Sequence, residues 1–139
     1  MATTLRRFSH TVALIKLHVV FVTKYRHPVI TVSIEDEIME ICHRIAQKNN
    51  CILEECKADL GERDHIHLLL DVAPTVPISK LVNTMKTVSS REIRKRHAEY
   101  LAPYYWKPIF WKRGFSCVSA GGAPLSVLKD YIENQGKQD

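Results

Sequence analysis

With 139 residues, 16.0 kDa, 45% apolar and 25% charged side chains, the chain has the proportions of one globular domain and is too apolar to stay disordered. No uncharged apolar run approaches the roughly 18 residues of a membrane span; Lys16 and His18 interrupt the best stretch, Val12 to Val22. The net charge of +5 is segregated: residues 1–30 carry five bases and no acid, residues 35–71 ten acids against four bases, and residues 79–113 nine bases against two acids. Clustered cations release condensed counterions when they bind phosphates, so this pattern suggests a polyanion partner. A solvated helix face reads the same way.

Taken in chain order, Leu14 to Thr23 is β-branched and apolar and reads as a mostly buried strand. Lys24 to Pro28 is a basic loop, since proline disfavours helix just before it. Ser33 is expected to cap a helix running to about Lys48, with Ile34, Ile38, Ile41 and Ile45 on its apolar stripe. Cys51 to Leu60 and His65 to Val72 read as a hairpin turning at Gly61 to Asp64. A second helix spans Ile78 to about His97, with Leu81, Val82, Met85, Val88 and Ile93 inward and most of the bases outward. An aromatic connector between Pro103 and Pro108 leads to a fourth strand, Trp111 to Ser119. After the joint Gly121-Gly122, Pro124 suits the first turn of a closing helix.

Strand, helix, strand, strand, helix, strand is the order of an α+β, ferredoxin-like split β-α-β fold. That fold is an antiparallel sheet with two helices on one face, here extended by a C-terminal helix. The whole chain, 1–139, is expected to be one such domain. Arg6-Arg7-Phe8 resembles a twin-arginine signal, but no apolar segment with a cleavage site follows, so the expected location is the cytoplasm. Cys42, Cys51, Cys56 and Cys117 lack zinc-site spacing and read as small buried hydrophobes in a reducing compartment.

His65-Ile66-His67 opens the third strand, where alternation sends both imidazoles off one face and Ile66 off the other. Two ring nitrogens on a rigid strand are half of a metal site, but such a pair alone is by default a structural or solvent-facing one. On the closing helix, Tyr131 and Gln135 are four residues apart and stack one turn over the other. Tyr100, Tyr104, Tyr105, Trp106, Phe110 and Trp111, interleaved with bases, are either stacking platforms for unpaired nucleobases or core.

Lys24-Tyr25-Arg26, Asp64-His65-Ile66-His67, Ser89-Ser90-Arg91, Gly121-Gly122-Ala123-Pro124 and Tyr131-Ile132-Glu133-Asn134-Gln135 resemble, in order, the signature blocks of one family. It is the single-tyrosine HUH transposases of the smallest bacterial and archaeal insertion sequences, the "IS-two-hundred" group. The likeness runs from about Leu17 to Gln135. Thr87-Val88 stand where that family usually has a glycine and a basic residue.

The resemblance implies a DNA transposase that cuts and rejoins single-stranded DNA by transesterification through a 5′-phosphotyrosine. His65, His67 and Gln135 would be the metal ligands, for Mg²⁺ or Mn²⁺. Tyr131 would be the nucleophile and Gly121-Gly122 the hinge of its helix, which can complete the partner's site in a homodimer. Hairpins at the element's ends would be the substrate, with Lys24, Arg26, Lys86, Arg91, Arg94, Lys112 and Arg113 as candidate DNA contacts. Two other readings stand beside it. One is a domesticated palindrome-processing relative or HUH nickase; the other is a non-catalytic ferredoxin-like module that binds nucleic acid.

Overall fold

The computed structural model describes residues 5–120. A short hairpin, β1 (Arg6–Phe8) and β2 (Thr11–Ala13), precedes β3 (Lys16–Val22), α1 (Val32–Lys48), β4 (Ile52–Ala58) and β5 (His65–Asp71). Then come α2 (Ile78–Arg96), the single turn α3 (Ala98–Leu101) and β6 (Ser116–Ser119). The four longer-range strands form one antiparallel sheet in the order β4-β5-β3-β6. The result is an α+β fold with both long helices on one face of the sheet.

Alternation along the strands decides what that face contains. Val19 and Phe21 of β3 and Ile66, Leu68 and Leu70 of β5 point into one core with Ile34, Ile38, Cys42 and Ala46 of α1. Leu81, Val82, Met85 and Ile93 of α2 close it, together with Phe110 and Trp111 from the connector. Each of the larger side chains among these contributes roughly 1.5–3 kcal/mol by leaving water. Because Ile66 is locked inward and fully buried, His65 and His67 must leave the sheet on the opposite face.

Four expectations need correction. The cap of α1 is Thr31, not Ser33: Thr31 Oγ1 accepts from the Ile34 amide at 3.1 Å, while the exposed Ser33 hydroxyl donates to Glu37. Burial of Val29 and Ile30 brings the chain into the helix two residues early. Val88 is only half-buried; Lys86 and Ser89 take the inward positions instead.

The last strand does not begin at Trp111, which makes only an isolated bridge to Thr23. The carbonyls of Lys112 and Gly114 accept from the Lys86 amine, and Gly114 has φ +85°, so pairing with β3 resumes only at Ser116. Cys117 is exposed, whereas Cys42, Cys51 and Cys56 are buried as expected. The β1–β2 hairpin was not foreseen; Arg6 pins it by donating to Asp71 Oδ1 at 3.0 Å and to the backbone carbonyls of Asp71 and Asn50. The segment expected to form the closing helix, with Gly121, Gly122, Tyr131 and Gln135, lies outside the described residues.

Candidate metal and nucleic-acid site

The histidine pair stands on the sheet face away from the helices, His67 opposite Val20 and His65 opposite Val22. Val20, Val22 and Leu69 on that face are themselves buried. Asp64, at the mouth of the strand, organises the first of them. Its Oδ1 accepts from His65 Nδ1 at 2.9 Å and its Oδ2 accepts from Arg26 Nε at 2.9 Å. A carboxylate has no proton to give, so the hydrogen lies on Nδ1 and the Nε2 lone pair of His65 is left for another partner. Metal-binding histidines are oriented by this kind of bond. Asp64 is itself anchored, since its carbonyl accepts from the Thr23 amide at 2.9 Å.

His67 has a partner that sequence reasoning missed. His18 of β3 stacks on it, ring centroids 4.5 Å apart and nearly parallel, and His18 Nδ1 meets His67 Nε2. Burial lowers the His67 pKa to about 4, helped by the nearby His18 and His65 and opposed by Glu55. Burial also lowers that of His18, against the pull of Glu55. His67 is therefore neutral at physiological pH, the form in which an imidazole binds a metal. An ion taken at Nε2 would replace the His18 contact, whereas one taken at Nδ1 would leave it. In the sequence the only trace of His18 was a polar residue inside an apolar strand; its stacking depends on the β3–β5 register.

Glu62, Asp64 and His65 each bring one ligand atom to within 4.8 Å of the others, a cluster that could coordinate a divalent cation. Glu62 and Asp64 were not among the expected ligands. Arg26 donates to both, reaching Glu62 Oε2 at 3.1 Å, so one guanidinium already balances much of their charge. His65 is common to this cluster and to the imidazole pair.

The candidate DNA contacts divide. Lys24, Arg94, Lys112 and Arg113 line a cleft of about 470 Å³ between α2 and the connector, floored by Phe110 and Trp111. Lys86 lines it too, but it is 9% exposed, and its amine donates to the carbonyl of Lys112 at 2.7 Å and to that of Gly114. Burial lowers its pKa to about 8. Lys86 is thus a strut between α2 and the chain before β6 rather than a solvent-facing cation. Arg26 is engaged with Asp64 and Glu62, and Arg91 is exposed outside the cleft, 4.0 Å from Glu92. Ser89 is buried as well, its hydroxyl accepting from Trp111 Nε1 at 2.9 Å. Of the connector's aromatics, Tyr105, Phe110 and Trp111 are core, while Tyr100 and Trp106 are exposed.

The family described as "Transposase IS200 like" matches residues 11–135. The chain is 31% identical over 136 residues to the transposase for insertion sequence element IS200 of Salmonella typhimurium, covering 96% of this chain and 85% of that protein. It is 26% identical over 121 residues to the ISDra2 transposase TnpA of Deinococcus radiodurans, covering 87% and 84%. A crystal structure from Deinococcus radiodurans R1, described as a candidate transposase, matches with a TM-score of 0.78 at 25% identity over 94% of this chain and 97% of that one.

Proposed function

The chain belongs to the IS200-like transposase family, and we propose that it cuts and rejoins single-stranded DNA at insertion-sequence ends with a tyrosine and a divalent ion. Its activity is that of a DNA-cutting transposase. In this reading the sheet order β4-β5-β3-β6 is the ferredoxin-like split β-α-β arrangement, with the imidazole pair on its open face. The observation that carries the proposal is the pair itself: two imidazoles on one rigid strand, one with its tautomer set by Asp64 and the other held neutral by burial.

His65 and His67 would hold the ion, with Gln135 as third ligand. We favour this set over Glu62 and Asp64 because Arg26 already bonds both carboxylates. Imidazole nitrogens, an amide oxygen and water suit Mg²⁺ or Mn²⁺. When bound, the ion supplies positive charge to a non-bridging oxygen of the scissile phosphate and to the 3′ leaving oxygen. Tyr131 supplies the nucleophile: its phenolic oxygen bonds to phosphorus, the bond to the 3′ oxygen breaks, and a 3′ hydroxyl is released. A phosphodiester replaces a phosphodiester, so rejoining needs no ATP. Lys24, Arg94, Lys112 and Arg113 would hold backbone phosphates in the cleft, losing affinity as salt rises.

We read the DNA as hairpins at the element's ends, the working form as a homodimer in which the Tyr131 helix can act in the partner's site, Gly121-Gly122 as its hinge, and the cytoplasm or nucleoid as its location. The test is covalent capture on a gel. Wild-type chain with hairpin single-stranded DNA and magnesium should give a protein–DNA adduct that EDTA prevents and Tyr131→Phe abolishes. An adduct that persists in Tyr131→Phe would refute the nucleophile.

A further inference from the structure

The turn after β3 is built in an uncommon way. Tyr25 and Arg26 both have positive φ, 61° and 54°, a left-handed conformation that residues with side chains seldom adopt and that folds retain where the surroundings over-determine it. Here they do. The Arg26 amide donates to the Thr23 carbonyl at 3.0 Å, the Thr23 hydroxyl donates to the His27 carbonyl at 2.8 Å, and the Tyr105 hydroxyl donates to the Lys24 carbonyl at 2.9 Å.

The product of that turn is an outward-facing aromatic shelf. Tyr25 stays 45% exposed, and the Trp106 ring lies nearly parallel to it, 12° between planes and 6.0 Å between centroids, itself 76% exposed. Two large rings aligned in solvent give up apolar burial that a buried site would provide. Lys24 joins the shelf to the basic cleft: its amine is 5.3 Å from the centre of the Tyr25 ring, and the same side chain lines the cleft with Lys112 and Arg113.

We propose that Tyr25 and Trp106 form a stacking platform for an unpaired nucleobase of the single strand whose phosphates run in the basic cleft. This rests on the single-stranded DNA reading above and adds to it a site for the bases. Planar apolar faces beside cations match a chain of planar bases beside phosphates, and stacking tolerates any base because each presents a π-face. The site reads no sequence; it fixes where the strand leaves the cleft.

The test compares two labelled 12-mers in magnesium-free buffer: oligothymidylate, and an oligomer of abasic spacers with the same phosphates. With the intact chain, oligothymidylate should bind roughly 5- to 100-fold more tightly than the abasic strand. Trp106→Leu should remove most of that preference and leave abasic binding unchanged, while Trp106→Phe, which keeps a ring, restores it. The chain has two tryptophans and Trp111 is buried, so Trp106 fluorescence should be quenched by oligothymidylate alone. Equal affinity for both strands, or unaltered preference in Trp106→Leu, overturns the platform and leaves strand binding intact. Failure of both strands to bind overturns the platform and the single-strand reading together.

Discussion

Asp64→Asn isolates the claim that a carboxylate prepares His65 for a metal. The side chain keeps its size, so packing at this buried position is preserved. Arg26 Nε is only a donor, so the remaining amide oxygen turns toward it and the new NH₂ group faces His65 Nδ1. His65 must then accept at Nδ1 and carry its proton on Nε2, where the lone pair is needed. Losing such a supporting bond typically costs about 10–100-fold in metal affinity, or roughly 1.4–2.7 kcal/mol. Replacing two charge-assisted bonds by weaker ones should also lower stability by about 1–2 kcal/mol, roughly 3–7 °C in Tm for a domain this size. The assay is adduct formation on hairpin DNA against Mg²⁺ or Mn²⁺ concentration. Half-saturation should move about 10–100-fold upward, with yield recovering at high metal and cooperative melting retained. A variant that melts as expected yet titrates metal like the wild type would refute the tautomer argument.

His67→Ala should still melt cooperatively but lose metal-supported adduct formation by at least about 100-fold; cutting that survives would move the metal to the Glu62, Asp64 and His65 cluster. Lys86 has a folded pKa of about 8 against an ordinary 10.5, so between those values the unfolded chain binds more protons and stability rises with pH. Its contribution to that rise is at most about 3 kcal/mol. Lys86→Met should flatten the rise in urea titrations between pH 8 and 10.5. At pH 7 it should cost about 1–3 kcal/mol through the orphaned carbonyls of Lys112 and Gly114. An unchanged slope would show that the amine titrates normally. Thr31→Ala should lower stability by about 1 kcal/mol, whereas Ser33→Ala should leave it within a few tenths, a contrast thermal melts can resolve.

Much was legible because periodicity is local. The apolar spacing of α1 and α2, the hairpin around Gly61 and the alternation His65-Ile66-His67 each depend on neighbours a few residues apart, so the elements and the face chosen by the histidines followed from the sequence. So did the family, carried by short blocks in order. The errors fell where a distant group competes for the backbone. Thr31 displaced Ser33 because burial of Val29 and Ile30 shifts the helix start, and the strand expected from Trp111 was interrupted because an amine from α2 takes its carbonyls.

The rest was decided by strand register and side-chain reach. Pairing of β3 with β5 brings His18 against His67 across 49 positions of sequence, and nothing in either neighbourhood requires it. The same holds for Arg26 and Asp64, 38 positions apart, and for Tyr25 and Trp106, whose rings meet only because the turn after β3 and the connector after α3 converge. Local sequence determines which residues can form an element and which way they point, since backbone sterics act over a few bonds. Which of them become partners is set by burial and hydrogen bonding summed over the whole chain, and only the folded structure carries out that sum.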